Sequence, residues 1–128
     1  RSISYAGYRL LKGGLSMPFL VTALKNKTAV LSNIPSVIYT CPSSRAAKVT
    51  HLQVTNTGIA PTVVTLCVHD ASEARTVYFA KDVYIPEGAT FKALGDNSGL
   101  WLEAGDYIEA WGASADLLLS VIEYSLPD

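Results

Sequence analysis

The chain has 128 residues, of which 49% are hydrophobic and only 16% are charged, and its formal net charge is −1. This length is enough for one domain that folds without disulfides or a metal, because such a domain buries about two-thirds of its unfolded surface. Apolar runs such as Leu117-Leu118-Leu119 reach at most four residues, far below the ~20 residues of a membrane helix, so no membrane contact is expected. The high apolar content predicts either a filled core or apolar surface that faces other subunits.

The first 16 residues have no regular hydrophobic period, and Gly13-Gly14 interrupts them as a flexible break. We predict an N-terminal arm at 1–16 and a sandwich domain at 17–128. An extended arm of this length reaches about 50 Å, far enough to cross a neighbouring subunit. Its basic and aromatic residues also suit nucleic acid, but the segment is short, so a protein neighbour is favoured and no nucleic acid is expected. The candidate partner-contact residues are Tyr5, Tyr8, Arg9 and Lys12.

From residue 19 onward, β-branched and aromatic runs alternate with Gly, Pro and Asn turn signals. No segment shows a helical period over ten residues, so we predict eight to ten strands in an all-β, jelly-roll-like antiparallel sandwich. The run at 74–85 is long enough to contain a bulge. The predicted strands are 19–24, 28–32, 37–41, 48–56, 62–70, 74–85, 89–94, 101–112 with a turn at 104–106, and 116–125.

Alternation within the run at 48–56 predicts which side chains share a face. Strict period-two counting places Leu52 and Val54 with Lys48 and Thr50, and puts Val49 on the opposite face. This count assumes that the strand is regular throughout.

The chain offers little that suits catalysis. Only His51 and His69 could serve as a base for a catalytic triad, both fall inside predicted strands, and no G-x-S-x-G nucleophile elbow occurs. Glu103, Asp106 and Glu109 are close in sequence, but Asp106 lies in a predicted turn, and Glu103 and Glu109 flank it as exposed hairpin residues do. We expect no enzymatic activity, no metal site and no cofactor.

Cys41 and Cys67 are the only cysteines. Two cysteines do not make a disulfide framework, and neither lies at metal-ligand spacing from a second pair of ligands. We predict that both are buried free thiols.

Aromatic residues are concentrated in the C-terminal half. We expect core or subunit-interface positions for them, but exposed and aligned rings would form a platform for stacking sugars. The aromatics concerned are Tyr84, Trp101, Tyr107, Trp111 and Tyr124, with Tyr84, Trp101 and Trp111 as the candidate exposed positions.

Charge is split along the chain. Residues 1–69 hold seven basic and no acidic residues, whereas residues 70–128 hold three basic and eleven acidic ones, so the two parts carry +7 and −8. Such asymmetry predicts electrostatic selection of partners, unless the two parts interleave in the fold and cancel locally.

Four runs resemble a class of small tailed-phage virion proteins, found in phages of cyanobacteria and other bacteria. They are VIYTCPSSRAAKVTHLQVTNTG, VTLCV, AKDVYIPEGATFKAL and WLEAGDYIEAWGASADLLLSVIEYS, within residues 35–125. The shared features are a strand ending in Y-T-C-P, a strand ending in V-x-N, a P-x-G turn and the run L-x-L-x-x-G-D-x-I at residues 100–108. The class then has a final V-x-x-x-E strand, and the final strand of this chain contains Val121-Ile122-Glu123 instead. The resemblance implies a structural role in a virion, as a capsid decoration (cement), neck or tail-fibre-associated component, and it carries over no functional residues.

From these observations we expect a homo-oligomeric virion protein, with capsid decoration as the leading position. Its partners would then be phage capsid or tail proteins. A tail, neck or fibre-adaptor role is the first alternative. A carbohydrate-binding module for host attachment is the second, and it requires aligned, solvent-facing aromatics.

Overall fold

The computed structural model describes residues 20–95 and 99–126. The predicted arm at 1–16, with its four candidate contact residues, lies outside the described residues. Within them the chain is all-β and forms nine strands. They are β1 (Leu20–Leu31), β2 (Ser36–Thr40), β3 (Arg45–Asn56), β4 (Thr62–Asp70), β5 (Arg75–Ile85), β6 (Thr90–Leu94), β7 (Leu100–Leu102), β8 (Tyr107–Trp111) and β9 (Ala115–Ser125).

The strands form two antiparallel sheets. The first sheet has the order β1-β9-β3-β6, with β7 also paired to β3, and the second has the order β2-β8-β4-β5. β6 and β7 lie along successive parts of the same edge of β3, so together they act as one interrupted strand. Each sheet then has four strands joined by crossovers between the layers, which is the jelly roll. The predicted fold class is confirmed.

The core lies between the two sheets, where inward side chains of both layers meet. Buried positions alternate along β9 and along most of β3, as expected when one face of each strand packs inward. The largest fully buried apolar side chains are Leu52, Leu66, Ile85, Leu102, Ile108, Leu117 and Leu119.

Two expectations about the first sheet were wrong. The predicted strands at 19–24 and 28–32 are one continuous strand, β1, because an edge strand tolerates the polar Lys25-Asn26-Lys27 run that resembled a loop. In β3 the register against β9 shifts between Val49 and His51. The extra residue at this bulge reverses the alternation, so Val49 is buried on the same side as Leu52.

The predicted bulge in the long strand is present. Pairing between β4 and β5 shifts register between Val64 and Leu66 and again between Leu66 and Cys67. Asp82 lies in this region with a φ of 51°, and its backbone N–H donates to the Thr65 hydroxyl at 3.1 Å. The side-chain bond replaces a ladder bond that the irregular backbone cannot make.

Asn56 organises the loops at one end of the sandwich. Its amide nitrogen donates to the carbonyls of Ala60 and Ile85 at 2.8 and 3.0 Å, and its amide oxygen accepts from the Gly58 N–H at 2.9 Å. The side chain is buried, so these bonds satisfy polar groups that water does not reach. Ile59 projects from this braced loop and is 91% exposed.

Candidate interaction surfaces

The two histidines contact polar neighbours in their sheets. His51 Nε2 lies 2.7 Å from the Gln53 amide oxygen. His69 Nδ1 lies 3.2 Å from the Thr76 hydroxyl, and its ring stacks on Tyr107 with centroids 4.8 Å apart. These are contacts of sheet residues, and they do not join a histidine to both a nucleophile and a carboxylate.

Three carboxylates meet at the end of the sandwich opposite Asn56. Oxygens of Asp70, Glu103 and Asp106 lie within 4.8 Å of one another. Asp106 is buried, and its two oxygens accept backbone N–H bonds from Ala71 at 2.9 Å and Glu103 at 2.8 Å. Asp70 accepts from Ser72, whose hydroxyl bond lowers the pKa of the Asp70 carboxyl. The cluster thus closes two turns, and we assign it a structural role.

A buried ionic cluster joins the sheets near β1 and β2. The Glu123 carboxylate on β9 is fully buried and accepts from the Tyr39 hydroxyl on β2. Arg45 Nη1 donates to it at 2.6 Å, and Lys25 Nζ lies 3.3 Å away. Burial alone would raise the pKa of Glu123, but the bonds from Tyr39, Arg45 and Lys25 outweigh it and hold the pKa below its usual value.

Sequence reasoning missed this cluster, although a signal for it exists. Glu123 continues the alternation of Leu117, Leu119 and Val121, the inward positions of β9. A carboxylate in that series must point into the core, and a buried carboxylate needs cations or donors nearby.

Both cysteines are buried and unbonded to each other, as predicted. Burial raises the pKa of the Cys41 thiol to about 11. Burial also raises the pKa of Cys67, and the nearby Glu109 carboxylate, 3.8 Å from its sulfur, adds to the effect. Neither thiol is therefore poised as a nucleophile.

Aromatic rings cover the outer face of the second sheet. Trp111 on β8 contacts Tyr78 on β5 edge to face, with centroids 6.3 Å apart, and Lys81 lies over the Tyr78 ring. Tyr84 pairs across the strands with Val63 and is 63% exposed. We call this surface the aromatic face. Its members are Val63, Tyr78, Tyr84, Tyr107 and Trp111.

Aliphatic side chains and one tryptophan mark the outer face of the first sheet. Leu24, Ile122, Lys48 and Trp101 form a single row across β1, β9, β3 and β7. Trp101 is 58% exposed, packs against Tyr124 and lies under the Lys48 ammonium. We call this surface the aliphatic face. Its members are Leu24, Val30, Trp101, Leu118 and Ile122.

The candidate exposed aromatics do not form one platform. Tyr84 and Trp101 are strongly exposed, but they lie on opposite layers of the sandwich. Trp111 shares the aromatic face with Tyr84 and is half-buried against Tyr78. The sequence alone could not assign the three rings to faces, because strand order decides which layer each strand joins.

The charge split along the chain becomes a split between the layers. Strands of the first sheet hold five basic and two acidic residues, for a net charge of +3. Strands of the second sheet hold two basic and three acidic residues, for a net charge of −1. The difference in sign is kept on folding, but it is much smaller between the two layers than between the two parts of the sequence.

Among residues 20–95 and 99–126 there is no helix that could span a membrane.

Solved structures share this fold. A chain of the Bacillus endospore appendages, a family of disulfide-linked pili, superposes with a TM-score of 0.51 at 13% identity, and the match covers 86% of this chain and 90% of that one. At this identity the likeness is one of fold. No protein-family model and no curated protein sequence matches the chain.

Two viral particles also match. The T13 particle of infectious bursal disease virus matches at 7% identity with a TM-score of 0.46, and the Gx strain of that virus matches at 8% with 0.42. These matches cover 98% and 97% of this chain but only 40% and 42% of the viral chains. The chain therefore spans less than half the length of these viral chains.

Proposed function

We propose that the chain is a structural subunit of a virion, with capsid decoration as its leading position. The observation that carries this proposal is the exposed apolar surface on the outer faces of both sheets. Leu24 and Val30 on one layer and Tyr84 and Val63 on the other are exposed, and solvent-facing apolar patches of this kind mark protein contacts.

Such a surface can bind a shell by the hydrophobic effect. Each 100 Å² of apolar surface buried across a subunit boundary contributes about 2.5 kcal/mol, before the cost of ordering the partners is subtracted. A decoration protein repeated over a particle gains this contribution at every copy. The resemblance of residues 35–125 to small tailed-phage virion proteins supports the same role.

In a tail, neck or fibre-adaptor position, the same apolar surfaces would contact neighbouring proteins, but the copies would be arranged with a different symmetry. Both roles are tested by labelling particles from cells that encode the chain with a gold-conjugated antibody against it. We expect label over the heads of intact particles. Label confined to necks or tails supports the alternative position. Particles that carry no label overturn the virion role.

The proposal includes no catalytic activity. His51 and His69 are occupied by contacts to Gln53 and Thr76, and both thiols are buried with raised pKa values. This part of the proposal is overturned if the purified full chain catalyses a reaction and the His69→Gln variant does not.

A second candidate is glycan binding at the aromatic face, which the exposed Tyr84 and Tyr78 rings favour. Aromatic rings on a flat sheet can stack on sugars. The test is retention of the full chain on immobilised neutral polysaccharides. Retention that is lost in Tyr84→Ala and kept in Ile59→Ala supports this function, and no retention on any of the polysaccharides rejects it.

A further inference from the structure

β1 buries Leu31 at its end, but it turns two other large apolar side chains away from the core of its own chain. Leu24 and Val30 point outward and are 74% and 82% exposed. The inward positions opposite buried β9 residues include Lys25 and Lys27, which pair with Val121 and Leu119. A half-buried strand normally has the reverse arrangement. The outward side of β1 is therefore suited to burial by something other than this chain's own core.

The edge of β1 is protected against direct strand addition. Inward-pointing charges on an edge strand are a known device against edge-to-edge pairing. Lys25 and Lys27 face the open side of the sandwich between β1 and β2, where they line a small cavity with Tyr39. A neighbouring strand at this edge would bury both ammonium groups. A partner of β1 is thus expected on the aliphatic face rather than at the edge.

The aliphatic face is also concave. It carries a depression of about 630 Å³, lined by side chains of β1, β3 and β9 that include Val30, Gln53 and Leu118. Protruding side chains of a partner can enter such a depression. On the opposite layer, Tyr84 and Tyr78 project from the sheet.

Charge favours one of the possible partner surfaces. Lys48 and Lys92 lie on the aliphatic face, with Asp116 as an acidic residue there. Glu109 and Asp82 lie at the aromatic face, with Lys81 as a basic residue there. Two aliphatic faces in contact would bring the lysines of both copies together, and like charges across an interface are unfavourable. An aliphatic face with one surplus positive charge and an aromatic face with one surplus negative charge are complementary.

We propose that the chain assembles head to tail, with the aliphatic face of one copy packed on the aromatic face of the next. This inference rests on the proposed structural role and names the contact that would build the assembly. Because the two surfaces differ, a pair of copies keeps one free face of each kind, so the contact generates a closed ring or an open filament rather than a two-fold dimer.

The test uses two variants of the full chain, each of which damages one face. Leu24→Glu places an acidic group on the aliphatic face, and Tyr84→Lys places a basic group on the aromatic face. We expect sedimentation velocity to show assembly of the unaltered chain and monomers for each variant alone. In both variants the association constant should fall by about tenfold or more, equivalent to ~1.4 kcal/mol.

An equimolar mixture of the two variants is the decisive sample. Leu24→Glu keeps an intact aromatic face and Tyr84→Lys keeps an intact aliphatic face. Their mixture should therefore associate again, as two-subunit complexes or, where the introduced Glu and Lys meet in the second contact, as longer ones. A mixture that stays monomeric overturns the head-to-tail contact. Ile59→Glu and Ile59→Lys, at an exposed loop away from both faces, are the charge-matched controls and should assemble like the unaltered chain. Circular dichroism checks that all four variants keep the β-sheet signal.

The outcomes separate this inference from the proposed function. If Tyr84→Lys assembles while Leu24→Glu does not, two aliphatic faces meet each other and the head-to-tail contact is wrong. If the chain assembles and both variants do so equally well, the contact lies elsewhere and only the face assignment fails. If the unaltered chain stays monomeric in sedimentation velocity at every protein concentration, self-assembly fails as well, and the antibody labelling decides the virion role independently.

Discussion

β1 and β3 are both twelve-residue strands that pair with β9, one on each side of it, yet they bury their apolar side chains to different extents. β3 buries Val49, Leu52 and Val54, and its bulge keeps them on one side. β1 buries Leu31 but exposes Leu24, and it turns lysines inward. A central strand has a strand of its own sheet on each side and packs its inner face against the other sheet, whereas an edge strand has such a neighbour on one side only.

The largest expected effect comes from the ion pair at the start of β3. Arg45→Met leaves the fully buried Glu123 carboxylate with a partly exposed Lys25 as its remaining cation. Removing one partner of a buried pair costs about 3–5 kcal/mol, and we expect a loss in that range in urea unfolding. The measurement is made on dilute, monomeric protein, so that assembly does not contribute.

The matched change on β1 is Lys25→Met. Lys25 Nζ is 3.3 Å from Glu123 and 40% exposed, so its removal should cost about 1 kcal/mol or less. If Lys25→Met destabilises as much as Arg45→Met, β1 is tied to the core as firmly as β3 and the contrast between the strands fails.

Truncation of apolar side chains gives the next effect. Leu52→Ala on β3 opens a cavity in the core and should cost about 2–5 kcal/mol. Leu24→Ala on β1 removes an exposed side chain and should change the unfolding free energy by ~0.5 kcal/mol or less. Equal losses at the two positions would show that Leu24 is buried within its own subunit.

Acid should weaken the fold through Glu123. Its pKa is lowered in the folded state, so its contribution is complete above the unfolded value of about 4.3 and is lost as the pH falls through the folded pKa. We expect the unfolding free energy to decline on acidification below that unfolded value, and Glu123→Gln to flatten the decline. The same slope in Glu123→Gln and in the unaltered chain would assign the acid sensitivity to other carboxylates.

The smallest effect on stability is expected at the inward lysine of β1. Lys27→Val should change the unfolding free energy by ~0.5 kcal/mol or less, because Lys27 is exposed at the open side of the sandwich. It should nevertheless increase aggregation measured by light scattering, since it removes a charge that guards the edge. Unchanged light scattering would mean that Lys25 alone protects the edge of β1 against aggregation.

Local sequence signals identified most of the elements. The strand at 62–70 was predicted with the bounds that the structure has, and the turn at Pro86-Glu87-Gly88 and the bulge in β5 are where the pattern indicated. These features depend on residues close in sequence, such as Gly88 with its φ of 74°. The burial of Cys41 and Cys67 likewise followed from residue type and context.

The sequence by itself determined the all-β class, the positions of the turns and the separation of charge between the two parts of the chain. Only the tertiary structure decided that Thr50 is the bulge residue and that Leu24 and Val30 of β1 face outward. It also decided that Glu123 meets Arg45 and Lys25. Strand order also places Tyr84 and Trp101 on opposite layers. Strand order and register join residues far apart in sequence, and period-two patterns do not carry that information.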